Sequence, residues 1–197
     1  MERPILFSGP MVRAILDGRK TVTRRIVRGV VESGGAYSTE AWERGEMPRC
    51  PYGSPGDRLW VRETWCLAHP DYHDTDREAG SRPVKDGRFC FYAATDDVDT
   101  GDGSPWKPSI HMPRWASRIT LEVVCIRVER LQEIDEVDIL AEGVTVDVVA
   151  KLTGTPWADM PTLHHAWERL WDSINGDRAS WASNPWVWRV EFRRVQP

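Results

Sequence analysis

The chain has 197 residues, 41% of them hydrophobic and 28% charged, and a formal net charge of −4. That balance excludes a protein that coats nucleic acid non-specifically, which needs an overall basic surface. No apolar run approaches the roughly 20 residues of a membrane helix, so no membrane partner is expected. The opening MERPILFSGP lacks a basic stretch followed by a long apolar core, and four cysteines (Cys50, Cys66, Cys90, Cys125) do not make a disulfide scaffold in a chain of this size. A reduced, cytoplasmic protein is the expectation, folded as one domain over residues 1–197. Two details of composition are uncommon: 11 Trp against 4 Phe and 4 Tyr, and 22 Arg against 4 Lys. Arg forks onto carboxylate or phosphate and stacks on aromatic planes, and Trp is the best such plane.

The first predicted element is a helix with Ser8 as N-cap, Pro10 in the first turn and Gly18 closing it in the left-handed conformation. Met11, Val12, Ile15 and Leu16 recur on one face of it. After Gly18 the β-branched run from Arg19 to Val27 reads as a turn into a strand, with Lys20 and Thr23 just past a helix end. Residues 31–57 read as a long loop. A strand over Arg58–Trp65 follows, with Trp60, Arg62 and Thr64 on one face and Leu59 and Val61 on the other. Residues 66–113 read as a loop-rich insertion with one strand near Phe89–Tyr92.

In the second half, residues 119–128 alternate as a strand whose apolar face shifts between Val123 and Val124, as a bulge would make it. An acidic helix spans 133–142 and ends at Gly143. Leu163, Ala166, Trp167, Leu170, Trp171 and Ile174 mark a helix that stops at Asn175-Gly176. A last strand alternates Trp186, Trp188, Val190 and Phe192 with Val187, Arg189, Glu191 and Arg193. Strands without regular βαβ alternation predict an α+β fold or a helix-decorated β-barrel.

Cys66, His69 and His73, with Cys90 as a fourth group, have ligand-like spacing, but no C-x-x-C pair accompanies them and structural zinc sites favour tighter pairs. No metal and no cofactor are expected. His164-His165 on the predicted helix read as structural, one toward solvent and one flanking the core. Phosphate-loop, dinucleotide and G-x-S-x-G signatures are absent from the sequence.

The chemistry-bearing segment is Gly18-Arg19-Lys20-Thr21-Val22-Thr23-Arg24-Arg25. A Lys beside several Arg, or desolvated, has its ammonium form disfavoured and can serve as a general base. A Thr hydroxyl becomes a nucleophile when such a base takes its proton. The other reading of the same residues is a basic edge strand with no chemistry.

This segment, with Pro55-Gly56-Asp57-Arg58-Leu59-Trp60-Val61-Arg62-Glu63, Ala141-Glu142-Gly143 and the closing strand from Trp186 to Phe192, resembles the ASCH domain of the PUA-like superfamily, in its longer phage and prophage form. The resemblance implies a partly open β-barrel with flanking helices and a cleft for a nucleoside or RNA. It also implies an amidohydrolase that removes the acyl group from N4-acetylcytidine or a related N4-acylated cytosine. By position Lys20 matches the proton acceptor, Thr23 the nucleophile and Glu142 the proton donor, with Glu133 and Glu136 as alternative carboxylates. Arg19, Arg24 and Arg25 are candidate substrate-binding residues, Arg24 or a backbone N–H for the oxyanion. Trp60 is a candidate base platform, with Arg62 and Glu63 on the same strand. Trp106, Trp115 and Trp157 are further candidate binding residues, whereas Trp167, Trp171, Trp186 and Trp188 read as packing. A non-catalytic RNA or modified-base reader and a ribonuclease using the same cleft are the competing functions.

Overall fold

The computed structural model describes residues 1–28, 49–68, 84–96, 105–154, 156, 159, 160 and 162–195. His69, His73, Trp157 and much of the two predicted long loops lie outside the described residues. The fold is mixed α+β. Its strands are β1 (Glu2–Leu6), β2 (Val22–Ile26), β3 (Arg58–Arg62), β4 (Trp65–Ala68), β5 (Val84–Lys85), β6 (Arg88–Tyr92), β7 (Thr120–Arg130) and β8 (Trp186–Val195). The helices are α1 (Gly9–Leu16), α2 (Glu136–Ala141), α3 (Val146–Thr153) and α4 (Leu163–Asn175). Five strands hydrogen-bond in the order β1-β3-β7-β8-β2, and three more in the order β4-β6-β5. The five-stranded order starts at β1 and ends at β2, so the described strands do not form a closed barrel, where a partly open one was expected. The chain, read from sequence as one domain, divides into two interleaved compact units: Met1–Gly18 with Asp57–Glu122 and Arg193–Pro197, and Arg19–Gly56 with Val123–Phe192.

In the first unit β1 runs parallel to β3, from Glu2 opposite Arg58 to Leu6 opposite Arg62. β1 was not legible in the sequence because Pro4 interrupts it; an edge strand tolerates a residue with no N–H to donate. β3 buries Leu59 and Val61 while Trp60 and Arg62 stay partly exposed, the alternation expected from the sequence. α1 buries Val12, Ala14 and Ile15, and it begins after Ser8 with Pro10 in its first turn. Gly18 follows its C-terminus at φ +73°, a conformation that only glycine adopts without strain.

The predicted strand over 58–65 is two strands, β3 ending at Arg62 and β4 starting at Trp65, where Trp65 pairs with Tyr92. The insertion therefore contains a small antiparallel sheet, β4-β6-β5, where one strand was expected. Trp65, Leu67, Cys90, Tyr92, Met112 and Ala116 form one buried cluster of it; Cys66, Ala68 and Phe91 form another, against which Phe89 and Trp106 pack. Apolar residues on both faces erase the period-two signal, which is why β4 was not distinguished from β3 in the sequence, whereas β6 lies where a strand was expected.

In the second unit β2 runs antiparallel to β8, from Val22 opposite Glu191 to Ile26 opposite Val187. β7 departs from alternation where Val124 and Cys125 are both exposed. α4 buries Ala166, Trp167, Leu170 and Trp171, but Ile174, assigned to the same face, is exposed. His164 Nε2 lies 3.0 Å from the Ile134 carbonyl, and His165 Nδ1 lies 2.7 Å from the Thr162 hydroxyl, the structural roles expected of them. α3 was missed, although Thr145 caps its start and Gly154 at φ +70° closes its end.

Candidate functional site

Lys20 and Glu142 are 122 residues apart in sequence and touch in the second unit, with Nζ 2.5 Å from Glu142 Oε2. Two local features bring them together. α2 starts at Asp135, whose carboxylate accepts the Asp138 N–H at 2.7 Å, and ends with Glu142 as its C-cap. Gly143 then turns the chain at φ +74°, and the Gly143 N–H donates to the Leu140 carbonyl at 2.8 Å. The emerging backbone forms an antiparallel bridge, Lys20 opposite Glu142, alongside a Thr21 N–H to Ala141 carbonyl bond of 2.8 Å.

Lys20 is 3% exposed and Glu142 also 3%. The Lys20 Nζ also donates to the Glu142 carbonyl at 2.9 Å and to the Val22 carbonyl at 2.8 Å. That second carbonyl belongs to the peptide group leading into Thr23, so the amine is held against the backbone of β2. Burial lowers the Lys20 pKa from its ordinary value; the Glu142 carboxylate opposes the shift, and the charges of Arg25 and Arg24 add to it.

Around this pair lies a buried ion network. Arg24 Nε donates to Glu129 Oε1 at 2.8 Å, its Nη2 to Asp138 Oδ2, and its Nη1 to Glu142 Oε1 at 3.5 Å. Arg189 grips Asp138 with both arms, Nε to Oδ2 at 2.8 Å and Nη2 to Oδ1 at 2.7 Å, and reaches Glu191 at 3.0 Å. Arg127 Nε donates to Glu129 Oε2 at 2.6 Å. The two guanidinium groups hold the Asp138 carboxyl well below the usual carboxylate range, Arg189 most of all, and Asp138 in turn raises the Arg189 pKa.

Of the other sequence candidates, Thr23 is on β2, 1% exposed and opposite Val190. The pleat puts it on the face of Arg25, not that of Val22 and Arg24. Arg24 was expected near the substrate oxyanion; it lies in the interior, bound by three carboxylates. Arg25 Nη1 donates to the Arg24 carbonyl at 3.3 Å. Arg19 is exposed and lines an open surface pocket of about 350 Å³ with Leu140, Ala141, Gly143 and Thr145. Trp60, Arg62 and Glu63 belong to the first unit. There the Arg62 guanidinium lies 5.5 Å from the Trp60 ring centroid and donates to the Ile110 carbonyl. Glu63 is buried under a two-point grip from Arg118, at 3.0 and 2.9 Å; burial raises its pKa and Arg118 restrains the rise. Trp106 is packing, whereas Trp115 is exposed.

Of the carboxylates weighed for Lys20, Glu142 is the one in contact. Glu133 instead accepts the Arg130 N–H at 3.0 Å, and Glu136 is exposed in the first turn of α2. Sequence reasoning missed Glu129, Asp138, Arg127 and Arg189. Two signals point to three of them: Asp138 stands one helical turn before Glu142, the C-cap of α2, and Arg127 and Glu129 share a face of β7. Among the described residues no group of His, Cys, Asp and Glu has the arrangement to hold a metal ion, and no helix is long and apolar enough to cross a membrane. No family model, curated protein or solved structure matches the chain.

Proposed function

We propose that this chain is an amidohydrolase that removes the acyl group from N4-acylated cytosine nucleosides or bases, on a fold of the PUA-like, ASCH type. One observation carries the reading: Lys20 Nζ touches the Glu142 carboxylate and the peptide leading into Thr23 at the same time. The pair is a buried proton donor and acceptor, and Lys20 is bound to the backbone of the strand that carries the buried Thr23.

Burial supports the chemistry. Moving one proton across the 2.5 Å contact turns an ammonium and a carboxylate into an amine and a carboxylic acid, with no change in net charge. The neutral Lys20 takes the Thr23 hydroxyl proton as Oγ1 adds to the acyl carbonyl carbon. Collapse of the tetrahedral oxyanion breaks the C–N bond, and Glu142 protonates the leaving cytosine amine. Water then adds to the Thr23 ester and gives a proton to Glu142. Expulsion of Oγ1, protonated by Lys20, releases the carboxylic acid and restores the pair. The oxyanion falls to a backbone N–H, because Arg24 is engaged by its carboxylates.

The test is release of cytidine from N4-acetylcytidine by the purified chain. Thr23→Val and Glu142→Gln are expected to slow it about a thousandfold, the scale of a positioned acid, base or activated nucleophile. No release by the wild type sinks the reading for this substrate; cytidine binding or RNA cleavage without it favours the reader or the ribonuclease. Full activity in Thr23→Val removes Thr23 as the nucleophile.

A further inference from the structure

The geometry points to Arg24 as a positioning residue that holds the Glu142 carboxylate against Lys20, and not as a group that touches substrate. Its part in turnover rests on the amidohydrolase reading; its hold on Glu142 does not. Glu142 presents its two oxygens to two cations, Oε2 to Lys20 at 2.5 Å and Oε1 to Arg24 Nη1 at 3.5 Å. Arg24 cannot swing away, because its other nitrogens are held by Glu129 and Asp138. Those acids are themselves fixed, Glu129 by Arg127 and Asp138 by the fork of Arg189. A planar guanidinium held on its other edges presents its remaining N–H groups in one place, which a lysine ammonium cannot do. At 2% exposure, Arg24 could reach a substrate only by abandoning buried carboxylates, each left without its partner.

The charged groups facing the Lys20–Glu142 pair and its support are Arg24 and Arg25 from β2, Arg127 and Glu129 from β7, Asp138 from α2, and Arg189 and Glu191 from β8. Arg24 bears on the pair in two ways: it steadies the Glu142 anion and its charge opposes the Lys20 ammonium. Replacing it with lysine keeps the charge but releases the Glu142 carboxylate that supports the Lys20 ammonium.

The measurement is an NMR titration of the lysine Cε resonances in the full chain, which has only four lysines, with Lys20 identified by its loss in Lys20→Met. In Arg24→Lys, which keeps the charge and loses the fork, the Lys20 midpoint is expected to fall by about one pH unit as the Glu142 carboxylate is released from it. A folded Arg24→Lys with an unchanged Lys20 midpoint overturns the proposal. If that variant does not fold, the wild type decides: the Arg24 guanidinium nitrogen shifts, assigned through its own backbone, must follow the Lys20 midpoint. A flat response there overturns the proposal too. Neither arm needs turnover, so loss of the amidohydrolase reading is seen separately, as no cytidine release by the wild type. Where turnover occurs, Arg24→Lys is expected to lower kcat about a hundredfold with KM little changed; wild-type kcat overturns the positioning role.

Discussion

Arg24 and Arg189 stand directly opposite each other on the antiparallel pair of β2 and β8, and both guanidinium groups bind Asp138. Like charges directly opposed across strands repel; one carboxylate from α2 turns that repulsion into a bridge. The pairing of β2 with β8 at this point therefore depends on a residue of a helix.

Removing that carboxylate leaves two arginines facing each other in the interior. Asp138→Ala is expected to destabilise the fold by about 3–5 kcal/mol, the usual cost of breaking a buried pair from one side. Urea unfolding of the variant measures it, and a loss below about 1 kcal/mol would show that the arginines find other partners.

Acid sensitivity follows from the same residue. The folded Asp138 pKa lies below its ordinary value of 3.8, so its contribution is fully present above that value and is lost as pH falls from about 4 toward the folded pKa. The difference in urea midpoint between wild type and Asp138→Asn should shrink steadily from pH 5 to pH 2. A difference independent of pH would count against the ion bridge.

Lys20 gives stability the same direction of pH dependence, in the alkaline range. Burial places its folded pKa below the ordinary 10.5, so in the window between the two the unfolded chain binds more protons and stability rises with pH. Below the folded pKa the cost of the buried ammonium is present in full. Compared at each pH, wild type is expected to gain stability relative to Lys20→Met on approaching pH 10; parallel curves would show that Lys20 does not titrate in that range.

Two glycines separate stability from function. Gly18 has φ +73° and open space where a Cβ would go, so Gly18→Ala should cost only the backbone strain, about 1–2 kcal/mol, and leave turnover unchanged. Gly143 has nearly the same φ, +74°, but its turn delivers Glu142 to Lys20. Gly143→Ala is expected to cost a similar amount and also to lower kcat; equal kinetics for the two variants would detach that turn from the site.

Elements whose apolar residues recur on one face were legible in the chain alone: α1 with its glycine stop, β3, α4 and β8 all lie close to where period and punctuation place them. Lys20, Thr23 and Glu142 were nominated from short strings and a resemblance, and Lys20 does meet Glu142. The ion network was not legible. In sequence Arg24 is one guanidinium of three in a basic run, Asp138 one acid among several in residues 133–142, and Arg189 belongs to the polar side of a strand. Whether such groups are solvated or buried depends on which surfaces the tertiary structure brings together. Arg24 and Arg189 become neighbours only through the register of β2 on β8, and α2 supplies Asp138 from 114 residues beyond Arg24 and 51 before Arg189. Composition and spacing determined which charges the chain carries; tertiary packing decided which of them lost their water, because desolvation is a property of the assembled interior and not of any local segment.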